Sequence, residues 1–560
     1  MYSQQHPPYP ATSQHVGPAW FVDVAQQAGL TALNVNGSAT NKRYIVEATG
    51  SGVAILDYDH DGWPDIFLVN GTTLPGNAAE NPASTSHLYR NNHDGTFTDI
   101  TVSAGLADTA WGQGACVGDY DNDGYDDIYV TAYGTNRLYH NERNGTFREA
   151  AAQAGVAGTG KEWGTGCAFI DYDRDGKLDL VVANYVHFNL EKTPVPGQDG
   201  GCMWKGSPVM CGPRGLESAP NVLYHNDGKG HFSDVSATSG ITKTPGHYCF
   251  SVTTLDYDED DWPDIYIACD STPSVLYHNN HNGTFSDTAA EVGVAFNEDG
   301  REQAGMGSTS ADYDRDGHLD LFKTNFSDDT STLYHANGDG TFTDVTFAAG
   351  LGINTDGLGW GTMFADIDND GWPDLLIANG HVYPEVDQAK LGATYREPRF
   401  LYHNLANGKF SDISKNSGPG VTQPFPARGL AIADLWNDGR LEAVVNNLSD
   451  RPLLLVNEAR NPNHWVELHL VGTRSNRSAI GARVMLQDQP GARPQMYVDE
   501  VRSGSSYSSS SDQRIHFGLG AKPALTSLLV RWPNGGLESF PPPPIDKITT
   551  VTEGSGTAAR

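Results

Sequence analysis

The sequence predicts an all-β chain: a seven-bladed β-propeller with acidic metal loops, followed by a small β domain. Three observations carry that expectation. An Asp-rich nonapeptide beginning at Asp57 returns at Asp119, Asp171, Asp256, Asp312 and Asp366, with a degenerate seventh copy at Asp434. Each copy follows a Gly-rich apolar segment and precedes a β-branched one (Ile66-Phe67-Leu68-Val69), which reads as strand, tight loop, strand. A Leu-Tyr-x-Asn strand and a Phe-x-Asp-type strand come next, giving four short strands per unit at spacings of 52 to 85 residues.

The Phe-x-Asp-type segment also occurs seven times, beginning at Phe21, Phe97, Phe147, Phe232, Phe285, Phe342 and Phe410. The first precedes every Asp-rich loop, and none follows the loop at Asp434. The strand at Phe21 is therefore expected to complete the last blade and remove an exposed edge. An open solenoid leaves this count unexplained.

In each nonapeptide, Asp at positions 1, 3, 5 and 9 with Gly at 6 gathers four carboxylates around a chain that folds back on itself. The expected ligand sets are Asp57, Asp59, Asp61 and Asp65; Asp119, Asp121, Asp123 and Asp127; Asp171, Asp173, Asp175 and Asp179. Three more follow: Asp256, Asp258, Asp260 and Asp264; Asp312, Asp314, Asp316 and Asp320; Asp366, Asp368, Asp370 and Asp374. A hard cation taking several oxygens at flexible geometry fits, and Ca²⁺ suits this better than Mg²⁺, with about six structural sites expected. The fourth loop carries Asp261 where the others carry Gly, and the seventh has Trp436 at position 3 and Glu442 at position 9, so calcium at Asp434 is doubtful.

Composition limits the partners. The net charge of −33, from 36 Lys+Arg against 69 Asp+Glu, excludes a general nucleic-acid binder or a polybasic membrane-surface protein. No apolar run is long enough for a transmembrane helix. Residues 1–19 are polar and Pro-rich without a leader pattern, so they are read as a flexible segment. An extracellular or periplasmic location follows if a leader was removed, and a cytoplasmic one if Met1 is the native start. The oligomeric state is not legible.

The loops and Phe-x-Asp segments resemble the FG-GAP/VCBS repeats of integrin-α-type propellers. The stretch with Asn463-His464-Trp465, Ala479-Ile480-Gly481-Ala482-Arg483, Phe517-Gly518-Leu519-Gly520 and Val530-Arg531-Trp532-Pro533 resembles an ASPIC/UnbV domain. Together they resemble the cartilage acidic protein family. The resemblance implies a secreted calcium-binding propeller at 20–458, with an insertion at 185–220, a small β-sandwich-like domain at 459–553 and a tail at 554–560. It implies little about activity. The insertion contains Cys202 and Cys211, which resemble a disulfide-closed lid over the propeller mouth, a metal-binding pair being the alternative. Cys249 and Cys269 fall on neighbouring strands and can pair, whereas Cys116 and Cys167 read as buried free thiols.

Small residues such as Gly50/Gly52 and Gly112/Gly114 recur before each loop and suit innermost strands crowding an axis. The rim opposite the calcium loops then carries the most varied side chains. Trp111, Gln113, Trp163, Tyr248, Gln303 and Trp360 are candidate ligand-binding residues, unless the three Trp side chains plug the tunnel. Candidate acid/base groups on the same rim are Glu47, Glu162, His247, Arg301, Glu302, His381 and Arg428. The repeated His of Leu-Tyr-His-Asn (His140, His225, His278, His335, His403) occupies one strand position in separate blades and reads as structural. A calcium-stabilised binding or adhesion module for a glycan, protein or small molecule is the first functional expectation. A calcium-dependent isomerase, cyclase, lyase or hydrolase at the central mouth is the second. Nucleophile-elbow, zinc-protease, Walker and dinucleotide motifs are all missing from the sequence.

Overall fold

The computed structural model describes residues 9, 15, 17–74, 84–243, 246–489 and 495–559. Most of the expected flexible segment at 1–19 lies outside them. Seven four-stranded antiparallel sheets make up the larger part of the chain. In the first, Val53–Leu56, Asp65–Leu68, His87–Asn91 and Phe97–Asp99 run in order from inner to outer strand. The next five sheets repeat this order, with inner strands Trp111–Gly118, Gly164–Ile170, Cys249–Leu255, Ser308–Ala311 and Gly359–Ala365. The seventh takes Ala427–Ala433, Glu442–Asn447 and Leu453–Asn457 from late in the chain and Phe21–Asp23 from its start. Phe21 pairs with Asn457 and Asp23 with Leu455, which is the closure expected from the repeat count.

Apart from the half-buried Met363 and Tyr133, inner and second strands are buried along their length because each sheet is covered on both faces, so they read as continuous apolar runs rather than alternating ones. An apolar core fills each gap between neighbouring sheets, the one between the second and third running on into the C-terminal part. The series returns to its start, where Val53, Ile55, Ile66 and Leu68 of the first sheet pack with Ala431, Val444 and Leu454 of the seventh. Small side chains let the inner strands converge. A methyl group on Gly114 would lie 2.5 Å from the carbonyl oxygen of Thr165 on the next inner strand.

The Asn of Leu-Tyr-x-Asn joins consecutive sheets. Its side-chain amide donates to the carbonyl at position 2 of the preceding sheet's Asp loop: Asn141 to Tyr58 (2.8 Å), Asn226 to Tyr120 (2.8 Å), Asn279 to Tyr172 (2.8 Å) and Asn404 to Tyr313 (2.8 Å). Asn457 reaches Ile367 (3.0 Å), and Asn91 reaches Leu435 (2.9 Å) across the closure. The fifth sheet has Ala336 at this place and lacks the link.

The C-terminal part forms two sheets. One orders Ile515–Gly520, His464–Val471 and Ile548–Thr552, the last two parallel. The other orders Gln495–Glu500, Arg483–Asp488, Leu525–Arg531, Leu537–Phe540 and Thr557–Ala558. Residues expected as a tail thus include an edge strand. Glu553 clamps this part together: it is buried, and against the raising effect of burial the backbone N–H groups of Ser475, Arg474 and Thr473 hold its carboxyl down to about 2. A depressed carboxyl contributes stability above its unfolded value and loses it as pH falls towards 2. Glu553→Gln is expected to cost about 1–3 kcal/mol at pH 7, read from the urea midpoint, and to flatten the acid limb of the stability profile.

All six cysteines are paired, as Cys116–Cys167, Cys202–Cys211 and Cys249–Cys269. The first pair corrects the expectation of free thiols. Cys116 and Cys167 lie on adjacent inner strands of different sheets with Cα atoms 5.8 Å apart, a proximity created by the packing of neighbouring sheets. Intact-mass measurement after alkylation should find no labelled thiol before reduction and six afterwards.

Candidate metal centres

The first, second, fourth, fifth and sixth Asp loops are held by the same backbone frame, of which the third keeps only the Gly176-to-Asp171 (3.1 Å) and Asn226-to-Asp179 (2.7 Å) bonds. The position-1 carboxylate accepts N–H bonds from positions 5 and 6, as Asp57 does from Asp61 (3.0 Å) and Gly62 (2.8 Å). The position-9 carboxylate accepts from position 2 and from the third strand, as Asp65 does from Tyr58 (3.1 Å) and Asn91 (2.8 Å). These bonds orient the carboxylates but leave lone pairs facing inward. Buried oxygens without a hydrogen-bond partner recur at position 3: Oδ1 of Asp59, Asp173, Asp258 and Asp314. In the third loop Asp171 Oδ1 and Asp179 Oδ2 are orphaned as well. Burial, then Asp179, Asp175 and Asp173, push the Asp171 carboxyl up to about 8, and burial with Asp320, Asp316 and Asp314 does the same for Asp312. Oxygen donors crowded in this way fit a bound hard cation, which would restore the ionised form.

The repeated His stands beside its own loop, a placement the strand pattern alone did not reveal. Nδ1 lies 3.2 Å from Asp127 Oδ1 for His140, 3.1 Å from Asp179 for His225, 3.4 Å from Asp264 for His278, 3.1 Å from Asp320 for His335 and 2.9 Å from Asp374 for His403. Together with positions 3 and 5 these form groups able to hold a metal ion, such as Asp121, Asp123 and His140, or Asp173, Asp175 and His225, with ligand atoms within 4.8 Å of one another. In the first sheet Arg90 takes the place of this His and pairs with Asp59 (3.0 Å). The seventh loop carries its own cation: Arg440 pairs with Asp438 at 2.8 Å, beside the buried Glu442 and Asp434. At position 6 of the fourth loop Asp261 adopts φ 75°, and Arg531 of the C-terminal part pairs with it at 2.7 Å.

The C-terminal part sits on this loop face and enters the axis. Its Ser-rich segment 503–511 is a tight hairpin whose backbone and hydroxyls bond to the inner strand of every sheet. Contacts include Ser510 N–H to Val53 O (2.8 Å), Ala115 N–H to Ser508 O (3.1 Å), Phe169 N–H to Ser503 Oγ (3.2 Å) and Ser508 N–H to Ser251 Oγ (3.3 Å). Ser308 N–H to Ser506 O (3.0 Å), Thr362 N–H to Ser506 Oγ (3.0 Å) and Ile432 N–H to Ser511 Oγ (3.1 Å) complete the circuit. Tyr507 at the tip reaches the far rim, its ring centroid 4.7 Å from that of Trp360 and 5.6 Å from that of Phe250.

Of the two readings of the far rim, this packing is that of a plug. Trp111, Trp163 and Trp360 are buried in one apolar cluster with Tyr507, and Tyr248 packs against it. Gln113 accepts from Thr49 (2.9 Å), and Gln303 accepts from Thr332 (2.8 Å). Arg428 is fully buried, 4.1 Å from the Trp360 ring, and donates to the carbonyls of Ala48 (2.8 Å) and Gly380 (3.0 Å). Burial and Arg428 push the His381 imidazole down to about 3. Glu47 caps a short helical turn through the N–H groups of Arg43 (2.7 Å) and Tyr44 (3.0 Å), and Glu162 accepts from Thr159 (3.0 Å). His247 lies 2.9 Å from Pro273 O, while Arg301 and Glu302 are exposed. Arg428 also donates to the backbone carbonyl of His381 (3.3 Å), but among the described residues no hydrogen bond or ion pair joins the side chains of two of these candidate acids and bases. The Cys202–Cys211 hairpin lies over the rim, with Trp204 4.9 Å from the His381 ring.

The family model for the FG-GAP-like repeat matches residues 57–130, 119–182, 211–267, 256–323 and 312–377. The chain belongs to the FG-GAP-like repeat family. Beyond the FG-GAP repeats, residues 472–558 match the ASPIC and UnbV model. The FG-GAP chain is 26% identical to cartilage acidic protein 1 of Mus musculus over 509 residues, 87% of this chain and 71% of that one. Against the Homo sapiens protein it is 26% identical over 510 residues, 87% and 69% of the two chains. Similar solved structures include an Agrocybe aegerita lectin that recognises non-reducing terminal N-acetylglucosamine (16% identity, 79% of this chain and 98% of that one, TM-score 0.38). Another is YCF48 bound to D1 peptide (7% identity, 81% and 100%, TM-score 0.41). Among the described residues of this FG-GAP protein, no helix is long and apolar enough to cross a membrane.

Proposed function

We propose that this chain is an extracellular, calcium-stabilised binding protein: a seven-bladed propeller at 20–458 whose loop face is capped by a sandwich-like domain at 459–553. The orphaned carboxylate oxygens inside the repeated loop frame carry the calcium assignment. In each of the first six loops the Asp residues at positions 1, 3, 5 and 9 are the ligands, and the adjacent His or Arg orients position 9 or 3. The cation supplies charge neutralisation and fixes the turn between first and second strands. Three disulfides without a free cysteine support an oxidising compartment, as does the similarity to cartilage acidic protein 1.

Calcium titration of the chelated, dialysed full chain tests this reading. About six equivalents should bind. Asp173→Asn and Asp314→Asn should each remove one equivalent, and Asp438→Asn in the loop already served by Arg440 should remove none. A stoichiometry unchanged by both of the first two variants would contradict the assignment.

A further inference from the structure

Six of the seven loops are sealed to the C-terminal domain by the residue at position 4, which turns outward at φ 55–61°. Asn122 accepts Arg477 N–H (2.7 Å), Arg174 donates to Pro533 O (3.0 Å) and Glu259 pairs with Arg483 (2.6 Å). Arg315 donates to Gln495 (3.0 Å), Asn369 meets His516 (2.8 Å) and Asn437 accepts from Arg514 (2.6 Å). Among the described residues His60 of the first loop makes no such bond and packs on Tyr125 instead, ring centroids 5.3 Å apart. Beside it the seam opens into a cavity of about 640 Å³, between the first two loops and the outer face of the His464–Val471 and Ile548–Thr552 strands.

The residues around that opening are chemically unlike the rest of the seam. Position 8 of the Asp loops is Pro or Leu in six copies (Pro64, Leu178, Pro263, Leu319, Pro373, Leu441) and Asp126 in the second. Among the described residues, no hydrogen bond or ion pair engages the Asp126 carboxylate, the Arg477 guanidinium or the His469 imidazole, and all three line the cavity. Burial and Arg514 push His469 down to about 4, so at neutral pH it offers one donor and one acceptor. Arg514 itself is committed to Asp512 and Glu467. The cavity therefore presents a carboxyl, a donor-only guanidinium and an imidazole with one donor and one acceptor, with the Thr550 and Thr552 hydroxyls and the Trp63 indole on the same lining. Its volume falls in the range of small-molecule pockets, about 300–1,000 Å³.

We propose that this interdomain cavity binds a sugar of one or two rings, held through its hydroxyls by Asp126, Arg477 and His469. Carboxyl, guanidinium, imidazole and hydroxyl groups around one space suit a ligand of alternating donors and acceptors. An amino-acid zwitterion would satisfy Asp126 and Arg477 but leave His469, the threonines and most of the volume unused. The inference rests on the binding role proposed above and places the ligand on the loop face instead of the far rim.

The calcium-loaded full chain is titrated calorimetrically and melted with 10 mM glucose, galactose, mannose, N-acetylglucosamine, lactose, maltose or cellobiose, and in parallel with glycine or lysine. At least one sugar should bind with a millimolar or tighter Kd and raise the Tm. Asp126→Leu, which installs the residue of three sister loops, and the exposed Arg477→Ala should each weaken that sugar at least tenfold. If Asp126→Leu does not fold, Arg477→Ala alone decides. No response to any of these sugars, a response only to the amino acids, or a sugar response kept by the variants would overturn the proposal. Calcium stoichiometry on the same samples reports separately on the calcium reading.

Discussion

Tyr507→Ala is expected to lower the unfolding free energy of the full chain by about 3–5 kcal/mol, the range for truncating a fully buried aromatic side chain. The side chain is 1% exposed and packs against Trp360 and Phe250, and its neighbours are held by sheets that cannot collapse inward without losing their own pairing. Tyr507→Phe keeps the ring and loses only the long contact from Gly50 N–H at 3.3 Å, so its cost should stay near or below about 1 kcal/mol. Urea midpoints of the two variants separate these outcomes. Equal effects would mean that the hydroxyl, not the ring, matters at the axis.

Chelation should have the larger effect. Each site held at a hundred times its Kd contributes about 2.7 kcal/mol by mass action, and six sites act on one cooperative ring. A fall in Tm on the order of 20 °C or more is expected when excess EGTA replaces millimolar calcium. The carboxylates must then either repel one another or take up protons, so the loss should be smaller at pH 5 than at pH 7. The sign follows from the raised carboxyls of Asp171 and Asp312, which are protonated below about 8 without a cation. Differential scanning calorimetry with and without chelator checks both statements, and an unchanged melt at pH 7 would remove the structural role of calcium.

What could be read from the sequence was whatever is written locally and repeated. The Asp nonapeptide carries its own turn, carboxylates and flanking strands, so its position in the fold follows from nine residues. Closure by Phe21–Asp23 was legible because it is a matter of counting. Features made by two distant segments were not. Nothing in the neighbourhood of Cys116 points to Cys167, because the pairing depends on the angle between adjacent sheets. The stretch 503–511 looks like a solvated Ser-rich loop, yet its backbone and hydroxyls substitute for water along the inner strands of all seven sheets. The far-rim Trp side chains looked equally fit for lining a pocket or filling it, and the choice lay in Tyr507, about 150 residues further along the chain than the last of them. Even here one signal was available: Asp126 breaks a Pro/Leu position that the other six loops keep.

Closure by the first strand also sets a timetable. Asp23 accepts from Leu454 N–H, a partner made 431 residues later. At translation rates of about 5–20 residues per second, Phe21–Asp23 waits roughly 20–90 s with its edge open. The ring cannot be complete until synthesis has passed Asn457, and the hairpin at 503–511 is made later still. Because that hairpin enters and leaves by the same face, it can seat in a ring already shut without any strand being threaded. The later-made hairpin is thus the bolt for a gate whose hinge was made first, and shortening either the first strand or the hairpin should slow maturation before it alters the finished fold.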